Sequence, residues 1–336
     1  MHITPDDARL SWPGAVSLQR TDEWVMPWRA PYEEIELFPP LDLQGRLAAA
    51  AGVRLAFRSD TRTLRGSVAA DAEMLKLDLC CDGEFIGSRL MAGKDGFRFD
   101  GLPIGEKTIE LWLPQLGMFR LCGLELDDGA SLSAWEDARP RWIAYGSSIT
   151  HCVEAESPTQ TWPAIVARRA GLNLMCLGVG GHCHLDPMIA RVIRGLPADF
   201  ISLCVGINVY GACSLSPRTY CPAVIGFIKI VREGHPNAPI AVTSPIVSPS
   251  RETTRNAVGL TLQAIRDETD DAVARLQAAG DDNIHYVNGL DIMGAESVHL
   301  LPDGLHPNAE GYKRMGKQFL ERVARPLFKQ RADSGD

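Results

Sequence analysis

The chain has 336 residues, and domains usually run roughly 100–200, so two domains are expected. Hydrophobic residues make up 45% and charged residues 23%, ordinary for a globular protein with a sizeable core. The formal net charge is −8 and no Lys/Arg-rich run occurs, which excludes nucleic acid or an anionic membrane surface as the main partner. No stretch of about 18 apolar residues is present, so no membrane span is expected. Residues Met1 to Asp7 have neither a basic start nor an apolar run, unlike a secretory signal. The nine cysteines are odd in number and irregular in spacing, and Cys80 and Cys81 are adjacent. Reduced thiols in a cytoplasmic protein are therefore expected, with Cys176 and Cys204 acting as small hydrophobes in apolar runs. Oligomeric state stays open.

From about Glu33 to Leu132 the chain shows short runs of period two, the signature of strands. Examples are Val53 to Phe57, Leu75 to Leu79, Phe97 to Phe99 and Thr108 to Leu113. Cys81-Asp82-Gly83, Lys94-Asp95-Gly96 and Asp127-Asp128-Gly129 break them, and Asp-Gly is a strong turn signal. An all-β sandwich or jelly roll over residues 1–138 is expected. Trp24, Trp28 and Tyr32 read as packing residues, with a place at the substrate pocket as the alternative.

Asp137-Ala138-Arg139-Pro140 reads as a link, and a second domain is expected over 139–336. Strands are expected at Arg141 to Tyr145, Leu172 to Gly178, Phe200 to Val205, Ile240 to Val247 and Ile284 to Val287. Helices are expected at Trp162 to Ala170, Leu185 to Arg194, Cys221 to Glu233, Leu260 to Ala279 and Asn308 to Phe328. Fraying is expected from Arg331 to Asp336. Alternating strands and helices imply a flavodoxin-like, doubly wound parallel sheet.

Ligands of such sheets bind outside the carboxyl ends of the strands. Gly146-Ser147-Ser148-Ile149-Thr150 follows the first strand and Gly178 to His184 the second. Gly206-Ile207-Asn208 follows the third, and Asp303-Gly304-Leu305-His306-Pro307 comes after the fifth. Hydroxyl, glycine, amide, carboxylate and imidazole groups thus share one sheet edge. Acyl transfer needs this set: a nucleophile, a base, an orienting acid and oxyanion donors.

In order and spacing, these four blocks resemble the SGNH (GDSL-like) hydrolases over about residues 141 to 328. The first half, with Lys76-Leu77-Asp78-Leu79 before a turn, looks like the β-sandwich of some bacterial members. The resemblance implies Ser148 as nucleophile, His306 as general base and Asp303 as the group orienting His306. It implies an oxyanion hole made by the backbone N–H groups of Ser148 and Gly181 and the side-chain amide of Asn208. Two positions depart from the family: Ser147 stands where Asp usually precedes the nucleophile, and Val209 where Asp often follows the Asn. Two serines are thus adjacent, and alignment to Gly-x-Ser selects Ser148.

Plainer readings compete. Ser148 could cap a helix, Asn208 could be a turn residue, and Asp303-Gly304 could be a simple turn. His151, Cys152, His182 and His184 are read as pocket lining; a zinc site there lacks complete ligand pairs. Gly178 to Gly181 lacks the full dinucleotide spacing. Neither metal nor cofactor is expected. The expected function is hydrolysis of a short-chain or acetyl carboxylic ester, of a small molecule or carbohydrate, through an acyl-serine. The alternatives are acyl transfer to an alcohol by the same residues, and a carbohydrate-binding protein with an inactive site.

Overall fold

The computed structural model describes residues 1–39 and 42–328. The segment Arg331 to Asp336, expected to fray, lies outside them. The chain divides into two compact units. One comprises Met1–Ala138, Ala155–Ala164 and Asn173–Cys176; the other comprises Arg139–Glu154, Ile165–Leu172 and the chain from Leu177 onward.

In the first unit, ten strands form two antiparallel sheets. The strands are β1 (His2–Ile3), β2 (Ser17–Arg20), β3 (Val25–Trp28), β4 (Arg54–Ser59), β5 (Thr63–Val68), β6 (Lys76–Cys81), β7 (Glu84–Leu90), β8 (Gly96–Asp100), β9 (Lys107–Trp112) and β10 (Leu121–Leu126), with helix α1 (Asp42–Ala48) between β3 and β4. One sheet has the order β2-β3-β10-β5-β8, with β1 also on β10; the other has the order β4-β9-β6-β7. Leu55, Phe57 and Leu111 of one sheet share a single core with Leu64, Phe99 and Leu124 of the other. Each such side chain contributes roughly 1.5–3 kcal/mol relative to exposure. Asp82 and Gly83 join β6 to β7 with φ of 48° and 81°, the paired positive values of a tight hairpin turn. Trp28 and Tyr32 pack on each other, with ring centroids 5.2 Å apart, and Gln19 bonds both.

The period-two reading begins at about Glu33, after β1, β2 and β3, and its clearest runs are β4, β6, β8 and β9. In β5 and β7 the polar residues and glycines of Thr63–Val68 and Glu84–Leu90 blur the alternation. Within the alternating run Leu75 to Leu79 the polar Asp78 is fully buried. Its Oδ2 accepts from Ser157 Oγ (2.5 Å), Thr159 N (2.9 Å) and Thr159 Oγ1 (2.7 Å), which replace the lost water.

Strands β11 (Arg141–Gly146), β12 (Asn173–Gly178), β13 (Phe200–Cys204), β14 (Ile240–Thr243) and β15 (Ile284–Val287) make one sheet of order β12-β11-β13-β14-β15, which falls in the second unit apart from Asn173–Cys176 of β12. The pairs β11–β13, β13–β14 and β14–β15 are parallel. The helices are α2 (Ser148–His151), α3 (Trp162–Ala170), α4 (Pro187–Gly195), α5 (Ile207–Ala212), α6 (Tyr220–Gly234), α7 (Leu262–Ala278), α8 (Gly289–Ile292), α9 (Ala309–Phe319) and α10 (Arg325–Leu327). Helix α6 buries Val224, Phe227, Ile228 and Val231, one stripe of period 3.6. Phe227 stacks on Tyr145 of β11 at 5.1 Å. The strand order is flavodoxin-like, and it reverses between β11 and β13.

Two expected elements are shorter. The strand read as Ile240 to Val247 stops at Thr243, since Pro245 has no N–H for the ladder. The closing helix read as Asn308 to Phe328 is regular only to Phe319. It widens into a π turn over Leu320–Ala324, which accommodates Pro326 by relieving the clash of its ring with the preceding turn. Among the described residues no helix is long and apolar enough to cross a membrane.

Candidate active site

Strand β11 ends at Gly146, and the chain turns directly into α2. Ser147 is the N-cap of this short helix: its Oγ accepts the Ile149 N–H at 3.2 Å, and the residue is only 2% exposed. The capping role weighed for Ser148 thus belongs to its neighbour. Ser148 is half-buried, and its Oγ lies 2.8 Å from His306 Nε2.

His306 comes from the loop before α9. Asp303 folds that loop onto itself: its Oδ1 accepts the N–H groups of Leu305 (2.9 Å) and His306 (2.7 Å). Its Oδ2 lies 2.6 Å from His306 Nδ1. A carboxylate only accepts, so Nδ1 carries the ring proton and Nε2 is left to accept from the Ser148 hydroxyl. Burial works against the Asp303 charge. The bonds from the His306 backbone and ring and from the Leu305 N–H outweigh it and hold the carboxyl at about 2. Asp303-Gly304 is therefore more than a simple turn.

Strand β12 ends in the glycine turn. A Cβ on Gly178 would lie 2.3 Å from the His151 nitrogen, so only glycine lets this turn lie against α2. At Gly181 the φ of 79° demands glycine, and a Cβ there would meet open space. Asn208 lies in the first turn of α5, after β13. Its Oδ1 accepts the Cys183 N–H at 3.0 Å, which orients the amide. The backbone N–H groups of Ser148 and Gly181 and the Asn208 Nδ2 donate to no acceptor among the described residues. These unused donors follow β11, β12 and β13, beside the point where the strand order reverses.

The residues expected to line the pocket divide. His182 and His184 are half-buried, while His151 and Cys152 are closed from solvent and do not line it. His151 Nδ1 faces the Gly180 N–H at 3.4 Å, and the Cys152 thiol faces Ile149 O at 3.1 Å. His151 is the last residue of α2 and Cys152 its C-cap, and both side chains are buried. His184 is held by Gly181 O and Ser214 Oγ. Burial pushes the Cys183 thiol up to about 12 and Cys204 up to about 11, so neither is a thiolate at neutral pH. The described residues bring three ligand-type side chains close together at Cys221, Glu268 and Asp271, not in the His182-Cys183-His184 segment.

Sequence reasoning missed the groups that hold the Asp303–His306 loop. Ser248 Oγ donates to Gly304 O at 2.7 Å, and Arg251 Nη1 donates to Ser248 Oγ at 2.9 Å. Both follow β14. The rule applied to the other strand ends would have pointed to them.

A parallel sheet of this order, with a hydrogen-bonded Ser–His–Asp chain at its switch point, defines an acyl-transferring α/β enzyme. The chain belongs to the GDSL-like lipase/acylhydrolase family, whose model matches residues 140–325. Residues 10–122 match the model of the SsfX3 N-terminal domain. The salicylyl-acyltransferase SsfX3 from a tetracycline biosynthetic pathway is 36% identical, with 97% of each chain covered and a TM-score of 0.89. A Bacteroides ovatus structure assigned as a GDSL-like lipase is 19% identical over 98% of each chain, with a TM-score of 0.81. A family two carbohydrate esterase from Clostridium thermocellum, solved with cellohexaose, is 14% identical, covering 95% of this chain and 99% of that one, with a TM-score of 0.69. The last two show a shared fold. No curated protein sequence matches the chain.

Proposed function

We propose that the protein is a serine esterase that cleaves a carboxylic ester through an acyl-Ser148 intermediate. The observation that carries this is the unbroken chain from Ser148 Oγ through His306 to Asp303. His306 Nε2 takes the hydroxyl proton as Ser148 Oγ attacks the ester carbonyl. The oxygen of the tetrahedral intermediate is held by the N–H groups of Ser148 and Gly181 and by Asn208 Nδ2. Each such donor is worth roughly 10²–10³ in rate. The C–O bond then breaks, and His306 returns the proton to the leaving alkoxide. Water, deprotonated by His306, attacks the acyl-Ser148; the acyl C–Oγ bond breaks, His306 returns the proton to Ser148 Oγ, and the acid leaves. Asp303 holds the ring in the required tautomer throughout. The substrate class is a short-chain or acetyl ester of a small molecule or carbohydrate. We place the protein in the cytoplasm, a reading supported by nine cysteines of which none is in a disulfide.

A second reading differs only in the acceptor: an alcohol in place of water at the acyl-Ser148. What favours it is the relative at 36% identity, an acyltransferase over its whole length. An inactive carbohydrate binder is disfavoured, because it has no use for a Ser–His–Asp chain or three unused donors.

The test is a panel of p-nitrophenyl esters, acetate to octanoate, on wild type, Ser148→Ala and Ser147→Ala. Hydrolysis lost in Ser148→Ala and kept in Ser147→Ala supports the esterase. Absent hydrolysis with Ser148 still labelled by a fluorophosphonate moves the assignment to the acyltransferase. Absent labelling rejects both.

A further inference from the structure

Gly181 and Asn208 follow different strands, and each presents an unused donor at the same edge. An oxyanion hole works only if its donors are held at a set separation before substrate arrives. His184 bridges the two elements that carry them. Its Nε2 lies 3.0 Å from Gly181 O, and its Nδ1 lies 2.9 Å from Ser214 Oγ. The carbonyl can only accept, so Nε2 carries a proton, and Nδ1 pairs with the Ser214 hydroxyl. Ser214 sits two residues beyond α5, the helix that carries Asn208, and Cys213 between them turns the chain with φ of 53°. A second link closes the ring, since Asn208 Oδ1 accepts the Cys183 N–H. Gly181 itself is conformationally free, with φ of 79° and no neighbour near its missing Cβ. The bond from His184 Nε2 to Gly181 O therefore restrains the carbonyl side of the turn that presents the Gly181 N–H.

We propose that His184 is a positioning residue: with Ser214 it clamps the Gly181 turn to the Asn208 helix and so sets the spacing of the two oxyanion donors. The proposal rests on the serine reading above. It assigns His184 no contact with substrate and no proton transfer. A misplacement of about 1 Å can cost on the order of 10²-fold in rate. Removing the imidazole should therefore lower kcat by roughly 10- to 100-fold while leaving KM within about threefold. Removing only the Ser214 hydroxyl deletes one neutral hydrogen bond and should cost roughly two- to tenfold.

The experiment compares wild type, His184→Ala, His184→Gln and Ser214→Ala. It reads kcat and KM for p-nitrophenyl acetate, inhibition by phenylboronic acid, and the rate of Ser148 labelling by a fluorophosphonate. Phenylboronic acid forms a tetrahedral adduct that needs the same donors as the transition state. In His184→Ala, kcat, boronate affinity and labelling rate should fall together. His184→Gln, whose amide reaches the Nε2 position with a donor, should recover to within about threefold. A merely structural histidine would lower the melting temperature without this coupled loss or this rescue, and that outcome overturns the proposal. So does an alanine variant with kcat and boronate affinity within twofold of wild type. A wild type that is neither active nor labelled rejects the serine reading itself, and the clamp with it. A labelled wild type with an unchanged alanine variant rejects the clamp alone.

Discussion

Two adjacent serines with identical side chains divide two tasks at the end of β11. Ser147 spends its hydroxyl on the Ile149 N–H, while Ser148 points its own at His306. Ser147→Ala should lower stability by roughly 0.5–2 kcal/mol, read as a lower melting temperature, and keep most of the esterase activity. Ser148→Ala should do the reverse. Asp303→Asn is the sharper probe of the relay. Asparagine would keep an oxygen for the two backbone N–H groups and turn its NH₂ toward His306 Nδ1, which forces the ring proton onto Nε2. The wrong tautomer should lower kcat by up to about 10⁴, measured on the ester panel. The same carboxyl predicts a pH effect. Its folded value is lowered from 3.8 to about 2, so its contribution to stability is complete above the unfolded value and is lost as pH falls through the folded one. Between about pH 4 and about pH 2 the wild type should lose more melting temperature than Asp303→Asn. An equal loss would show that the carboxylate is not held as described.

The elements around the site explain which segments can change. After Thr243 the chain leaves the sheet at Ser244-Pro245 and runs irregularly to Glu252. Arg266 of α7 holds that run by donating to Pro245 O (2.8 Å) and Ile246 O (3.1 Å) and by pairing twice with Glu252. Burial raises the Glu252 carboxyl, and the Arg266 bonds with the Ser248 N–H bring it below its ordinary value. Arg266→Met should cost roughly 3–5 kcal/mol in denaturant unfolding, because it strands a partly buried carboxylate and two carbonyls. The same run carries Ser248, which donates to Gly304 O between the two loop residues of the relay. Ser248→Ala should leave the fold intact and lower kcat by roughly two- to tenfold, with KM little changed. If kcat holds and only the melting temperature falls, Ser248 supports the loop without tuning the relay.

At the scale of the molecule, the sandwich and the parallel sheet each solve the same problem, the burial of one face of a sheet. The first does it against a second sheet, the other with helices. None of the nine cysteines is in a disulfide, and most are buried. A thiol titration in denaturant should count nine with or without prior reduction; fewer without reduction would mean a disulfide. The choice between water and an alcohol acceptor belongs to this scale as well. Adding an alcohol during turnover should yield a transferred ester only if acyl-Ser148 lasts long enough to meet it. Product analysis by mass spectrometry reads that partition directly.

The amino-acid sequence by itself determined the parallel sheet, the places of Ser148, Asp303, His306, Gly181 and Asn208 at strand ends, and the Asp82-Gly83 turn. Periodicity and glycine chemistry act over a few residues, so they are visible in the order of residues alone. Tertiary structure decided the rest. It buried Asp78 by bringing Ser157 and Thr159 to it, and it closed His151 and Cys152, at the end of α2, from solvent. It gave the cap to Ser147 and the hydroxyl of Ser148 to a ring 158 residues away. It also tied Gly181 to Ser214 through His184 and Gly304 to Ser248. Apart from the Ser147 cap, which reaches only two residues along the chain, none of these has a local signature, because a hydrogen bond between distant residues depends on where the sheet brings its strand ends and not on the neighbours along the chain.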